Sequence, residues 1–193
     1  YDSRCLKHII ASCYNAVYRY GLTGSLEDSK VHELVLTGLF GPIATMASTK
    51  ELIDSGPLVK TSIKCLILKY SAPKRFKNYH EEIDYIISNP KRNKFLKNLV
   101  LDLDGNSLLL FNYVEKHGKI LYDTIKEASD VPVFFVYGDT AVEERESIRH
   151  QMESLKKSIL IASYGTFSLG INIRRLHNIV FASPFKSKIR NIQ

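Results

Sequence analysis

The chain changes rhythm about halfway along. From residue 106 onward, short apolar runs alternate with stretches of helical periodicity. SLLLFN (107–112) precedes a helical pattern over 114–128, and VPVFFVY (131–137) precedes one over 142–157. ILIASY (159–164) precedes a turn over 164–172, and NIVFAS (178–183) closes the series. Strands that are apolar at nearly every position are buried on both faces, and strands that alternate with helices form parallel sheets. The expected fold class is therefore α/β with a doubly wound parallel sheet, in which ligands bind at the carboxyl ends of the strands.

The first half is less regular. Residues 2–15 carry Leu6, Ile9, Ile10 and Cys13 at the spacing of one helical face. A short strand is expected over 16–23. An apolar, extended segment is expected over 33–45, with Gly38 and Gly41-Pro42 read as breaks, and a second strand over 61–70. Ser48 and Glu51 form a capping box that opens a helix, which Gly56-Pro57 stops. Residues 71–79 combine Pro, Lys, Arg and aromatics, which suits a basic linker. After a helix over 80–88, Asn89 as N-cap and Pro90 at the first helical position open another over 90–102. Its apolar face is Phe95, Leu96, Leu99 and Val100, and its other face carries Lys91, Arg92, Lys94 and Lys97. Thr140 with Glu143 reads as a second capping box.

Composition narrows the function classes. The 193 residues are 45% apolar and 24% charged, enough for a sizeable core. No apolar run approaches the roughly 18 to 20 residues of a membrane span, and no signal-peptide pattern opens the chain. Cys5, Cys13 and Cys65 form no CxxC pair, so they are expected to be reduced and mostly buried. The 27 Lys and Arg against 20 Asp and Glu give a net charge of +7, which favours a polyanionic partner. The chain begins at Tyr1 without Met and ends at Gln193 without a closing signal, as expected of a piece of a longer protein.

Candidate chemistry gathers at strand ends. The turn after 159–164 offers Gly165 and Gly170 for close backbone approach, Thr166 and Ser168 hydroxyls and the Asn172 amide. Open backbone N–H groups and small hydroxyls suit phosphate contact, and the basic run FKSKIRNIQ, with Lys186, Lys188 and Arg190, would strengthen it. Phe111, Asn112 and Tyr113 end another strand, where an aromatic either stacks on a base or packs the core. Thr23, Gly24 and Ser25 close the expected 16–23 strand, as a plain turn or as a hydroxyl pair facing a cleft. His117 reads as a surface helix residue without metal-spaced partners, and Arg145 stands out from an otherwise solvated helix face. The chain has no G-x-x-x-x-G-K-[ST] loop, no G-x-G-x-x-G after a strand and no paired acid placed to hold magnesium. It is not expected to hydrolyse a nucleotide by itself.

The pieces YGLTGSL, ELIDSGPLVK, LLLFNYVEKHG, EERESIRHQ, ILIASYGTFSLGINIRRLHNIVFASP and KSKIRNIQ, in this order, closely resemble the UvsW-like helicases of T-even and related phages. These are superfamily 2 ATP-dependent DNA helicases of the DEAD/H-box-like type, and the resemblance covers essentially the whole chain. It implies two RecA-like domains, with the last part of the first in residues 1–58 and most of the second in 59–193. Thr23, Gly24 and Ser25 match motif III, which couples hydrolysis to strand separation, and residues 111–114 match motif IV. Residues 163–172 match motif V. There Ser163, Gly165, Thr166 and Ser168 face nucleic acid, while Gly170 and Asn172 lie toward the nucleotide, Asn172 standing where many relatives have Asp. Gln193 opens motif VI.

The same resemblance implies ATP with magnesium as cofactors of the parent protein and none bound to this piece, because the Walker boxes and the motif VI arginines fall outside it. The implied partners are single-stranded or branched DNA, an RNA–DNA hybrid, and the missing N-terminal RecA-like region of the same protein. The implied setting is a phage protein in the cytoplasm of a bacterial host, acting in recombination, repair and replication. Two other readings stand beside it: a binding-only nucleic-acid module using Lys91, Lys94, Lys97, Lys186, Lys188 and Arg190, and a Rossmann-like enzyme with a small nucleotide substrate.

Overall fold

The computed structural model describes residues 4–24, 26, 29–56, 58–69, 76–167 and 173–184. It separates into two compact units, Tyr1–Ile67 and Leu68–Asn191.

In the second unit, side-chain caps set the helix starts. Asn78 accepts the Glu81 N–H to open α4 (Tyr79–Ser88), and Asn89 accepts the N–H groups of Lys91 and Arg92 to open α5 (Pro90–Asp102), with Pro90 in the first turn as the sequence predicts. The chain then runs through β1 (Asn106–Phe111), a π-helical turn (Val114–Gly118), α6 (Lys119–Ala128), β2 (Val133–Val136), α7 (Val142–Ser154), β3 (Ile159–Ser163), α8 (Tyr164–Phe167) and β4 (Leu176–Phe181). The strands form one parallel sheet in the order β2-β3-β1-β4. Ser107 lies opposite Ile159, and Phe111 opposite Ser163.

Both faces of this sheet are covered, which explains why β1 and β3 are buried at every position. On one face Leu96 and Val100 of α5 and Leu121 and Ile125 of α6 pack against Leu109, Phe111 and Ile161. On the other, Ile148 and Met152 of α7 pack against Leu108, Leu110, Leu160 and Ala162. The alternation expected from the sequence is thus a doubly wound sheet. At its amino edge a buried side chain ties the elements: the Asn106 amide donates to the carbonyls of Met152, Leu155 and Arg175 and accepts from the Ser158 hydroxyl. Gly105 reaches this edge with φ +75, and a Cβ there would stand 2.7 Å from the His177 ring.

The first unit contains α1 (Arg4–Ser12), α2 (Lys30–Phe40) and α3 (Thr49–Asp54). The Ser48 capping box is formed, with its hydroxyl accepting the Glu51 N–H and the Glu51 carboxylate accepting the Ser48 N–H, and Gly56 follows with φ +96. Three expectations need correction here. Of the segment 33–45, expected to be extended, residues 33–40 are helical as part of α2: one glycine near a helix end costs only about 1 kcal/mol, so Gly38 is carried. The stop is Gly41, at φ +93, whose N–H bonds the Thr37 carbonyl. The segments 16–23 and, as far as residue 69, 61–70 make no ladder, because no described strand lies beside them. Cys5, Cys13 and Cys65 are unbridged, and they are exposed rather than buried as expected, since no described residue of this unit is buried.

Two corrections fall in the second unit. Thr140 does not cap α7; its hydroxyl accepts the Tyr137 N–H and closes the turn after β2, while Ala141 stands at the N-cap position. The helical pattern over 114–128 opens with a π-helical turn rather than an α-helix from its first residue, the Gly118 N–H reaching back five residues to the Tyr113 carbonyl.

Candidate nucleic-acid interface

The carboxyl edge of the sheet gathers three exits: Asn112 and Tyr113 after β1, Ser163 to Thr166 at the end of β3, and Ala182 to Pro184 after β4. Because β1 lies between β3 and β4, the chain leaves the sheet in opposite directions from neighbouring strands, which is where doubly wound folds open a crevice.

Each exit is held by named bonds. Asn112 is exposed and its backbone N–H donates to the Ser183 hydroxyl at 3.1 Å. Ser163, buried at the end of β3, shares a 2.6 Å hydrogen bond with the Thr166 hydroxyl, which stabilises the first turn of α8. Gly165 is exposed, and a Cβ there would meet nothing within 4 Å, so its backbone is open to approach. Tyr164 turns inward, stacked on Phe181 with 6.2 Å between ring centroids, and its hydroxyl donates to the Ser183 carbonyl. Burial pushes that phenol up to about 12, so it stays a neutral donor across the working pH range. The Arg92 guanidinium, reaching from α5, donates to the Ala182 carbonyl.

Of the residues the sequence singled out, Asn112, Tyr113, Ser163, Gly165 and Thr166 lie together on this edge. Phe111 is a correction. Its ring is wholly buried, stacked on Phe135 with centroids 5.4 Å apart and rings at 10°, so it builds the core and offers no face to a base. Thr23 and Gly24 are exposed in the first unit. Ser25, Ser168, Gly170, Asn172, Lys186, Lys188, Arg190 and Gln193 lie outside the described residues. Arg145 spans the turn after β2, donating to the carbonyls of Thr140 and Gly138. On α5, Lys91 and Lys94 are exposed as the sequence predicts, whereas Lys97 is half-buried and Arg92, expected on the same outer face, turns in to the Ala182 carbonyl.

Sequence reasoning missed His117. It is fully buried, not a surface residue, with Nδ1 3.0 Å from the Ser183 hydroxyl and Nε2 3.2 Å from the Asn93 side-chain oxygen. Burial, reinforced by the Arg92 charge, pulls its pKa down to about 4, so the ring is neutral. The π-helical turn brings it there and packs Gly118 onto Phe111, where a Cβ would come within 2.5 Å of the ring. Neighbouring Lys116 pairs with Asp84 of α4 at 3.0 Å, so this turn is fastened to both α4 and α5. The Gly after His117 was the one local signal, since glycine in a helical run often marks close packing.

Among the described residues no group of three or more His, Cys, Asp or Glu could hold a metal ion. The sequence carries no G-x-x-x-x-G-K-[ST] phosphate loop. Among the described residues, no helix is long and apolar enough to cross a membrane.

No protein-family model matches the chain. The ATP-dependent DNA helicase uvsW of Enterobacteria phage T4 is 35% identical over 199 residues, an alignment covering 98% of this chain and 39% of that relative. The crystal structure of T4 UvsW matches the fold with a TM-score of 0.51 and 39% identity, over 58% of this chain and 23% of that one. The chain therefore spans about two-fifths of the length of this relative. In sequence along nearly its whole length, and in its parallel helicase RecA-like sheet, the chain is UvsW-like.

Proposed function

We propose that this chain is part of an ATP-dependent DNA helicase or translocase that acts on branched DNA in phage recombination, repair and replication. Residues 59–193 would form its second RecA-like domain, and residues 1–58 would complete the first. The observation that carries the reading is the convergence of Asn112, Tyr113, Gly165 and Thr166 at the carboxyl edge of a parallel sheet in a chain of net charge +7. Open amides and hydroxyls at such an edge suit phosphate oxygens, and they position a strand without reading its sequence. Lys91 and Lys94 on α5, together with Lys186, Lys188 and Arg190 farther along the chain, supply the counter-charge.

In this proposal ATP and magnesium bind where a region N-terminal to this chain meets the second domain. Thr23, Gly24 and Ser25 transmit closure of that cleft, and Gly170, Asn172 and Gln193 line it. The partners are single-stranded or branched DNA and RNA–DNA hybrids, in the cytoplasm of the bacterial host. Likeness to a named DNA helicase over 98% of the chain supports this.

Fluorescence anisotropy with labelled single-stranded and forked DNA tests the reading. The 193-residue chain should bind with an affinity that falls steeply with salt, the log–log slope growing by roughly 0.9 per neutralised phosphate of duplex and about 0.7 for single strands. ATP turnover should stay at background with or without DNA. Salt-insensitive binding, or DNA-stimulated turnover by this chain alone, would contradict it.

A further inference from the structure

The bonds around His117 run in one direction. Asn93 donates its amide hydrogen to the Ile87 carbonyl at 2.8 Å, which leaves its oxygen facing His117 and requires a hydrogen on Nε2. A neutral ring then has a bare Nδ1, which must accept from the Ser183 hydroxyl. That hydroxyl, having donated, accepts the backbone N–H of Asn112. A chain of donors thus passes from the exposed edge at Asn112, through Ser183, His117 and Asn93, to the end of α4 at Ile87. Every link is satisfied, and chains of this kind strengthen one another in a low-dielectric interior.

A core position that needed only filling would be served by an apolar side chain at lower desolvation cost. What the imidazole adds is reach: it joins residues 93, 117 and 183 at a point where the turns leaving β1 and β4 meet. We propose that His117 is a positioning residue of the nucleic-acid edge, holding the Ser183 hydroxyl where it receives the Asn112 N–H and so fixing the exits of β1 and β4 relative to each other. The proposal rests on the DNA-binding reading above and adds a residue that does not itself touch DNA. The Ser183 side of the ring carries this role, while the Asn93 side anchors it to α5.

The two sides can be separated by substitution. Asn at position 117 places a polar atom near the site of Nδ1 and keeps the Ser183 bond; Gln reaches the site of Nε2 and keeps the Asn93 bond. In the full 193-residue chain, His117→Asn should bind forked DNA within about twofold of wild type, whereas His117→Gln and Ser183→Ala should each lose about tenfold, the scale set by leaving one buried polar partner unmade. Thermal melting should rank the Asn and Gln variants alike, so that affinity and stability part company. Long-range 1H–15N NMR of the wild type should show the Nε2–H tautomer, unprotonated at pH 5.5.

Equal DNA affinity in the Asn and Gln variants, or losses that simply follow their melting temperatures, would overturn the positioning role. So would an Nδ1–H tautomer or titration near 6.5. A wild-type chain with no affinity for DNA would instead sink the underlying nucleic-acid reading, and the role with it.

Discussion

The two units of this chain treat apolar residues in opposite ways. From Leu68 on, the apolar runs find one another: Leu108 to Leu110 lie opposite Leu160 to Ala162 in register, and α5, α6 and α7 close both faces. Up to Ile67 there are comparable runs, yet Val17, Tyr20, Leu22 and Ile63 are more than four-fifths exposed. A strand's pattern records what it could bury, but burial needs a neighbouring strand to complete the ladder and a helix to cover it. The difference between the units lies in partners, not in composition.

Substitutions of the same kind in each unit should make that contrast measurable. The largest effect is expected from Phe111→Ala, which empties a wholly buried site beside Phe135 and should cost about 3–5 kcal/mol in urea unfolding of the chain. Ile63→Ala, at a position 94% exposed, should stay within about 0.5 kcal/mol. Comparable losses at both positions would mean that the first unit buries its apolar residues as the second does.

Next in size is the pH dependence of His117. Its folded-state pKa, about 4, lies below the ordinary value of 6.5. The neutral ring therefore contributes fully above pH 6.5, and that contribution is lost progressively as pH falls toward 4, because the unfolded chain takes up the proton first. The full loss is about 3 kcal/mol. Unfolding measured across this window in wild type and His117→Asn should differ in slope by the uptake of one proton, and parallel profiles would show that the ring titrates normally.

Gly118→Ala should come third, at about 1–3 kcal/mol, because its Cβ would press on the Phe111 ring and either the ring or the π-helical turn must move. A smaller loss than these is expected from a cap in the first unit. Ser48→Ala removes the reciprocal cap of α3 and should cost about 1 kcal/mol, read as faster hydrogen exchange at Leu52 to Ser55 with no change in the second unit's core amides.

The same contrast explains what could be read from sequence. The second unit was legible because its signals are local and agree: an Asn-Pro start at 89–90, continuous apolar runs for inner strands, and helical periodicity between them. In the first unit a local rule pointed the wrong way. Gly38 looked like a break, although the helix runs on to the true stop at Gly41. Residues 16–23 looked like a strand because sequence shows pleat-forming residues without showing whether another strand lies alongside.

At the candidate site, Asn112, Tyr113, Gly165 and Thr166 were legible as residues that follow strands, whereas Phe111, one position earlier, belongs to the core. The inner support was not legible. His117 meets Asn93 and Ser183 across 24 and 66 residues of chain, and no periodicity encodes a contact of that span. Thr140 shows the reverse hazard: the right residue type at the right spacing for a cap is used instead to close the turn after β2.

The central claim is that the carboxyl edge of the parallel sheet is the face that meets nucleic acid. Amide NMR of the 193-residue chain titrated with single-stranded DNA tests it most directly. The account predicts shifts clustered at Asn112, Tyr113, Gly165, Thr166 and the α5 amides near Lys91 and Lys94, with Gly105, Asn106 and Ser158 at the amino edge unmoved. Shifts confined to the amino edge, or to residues before Leu68, would contradict it.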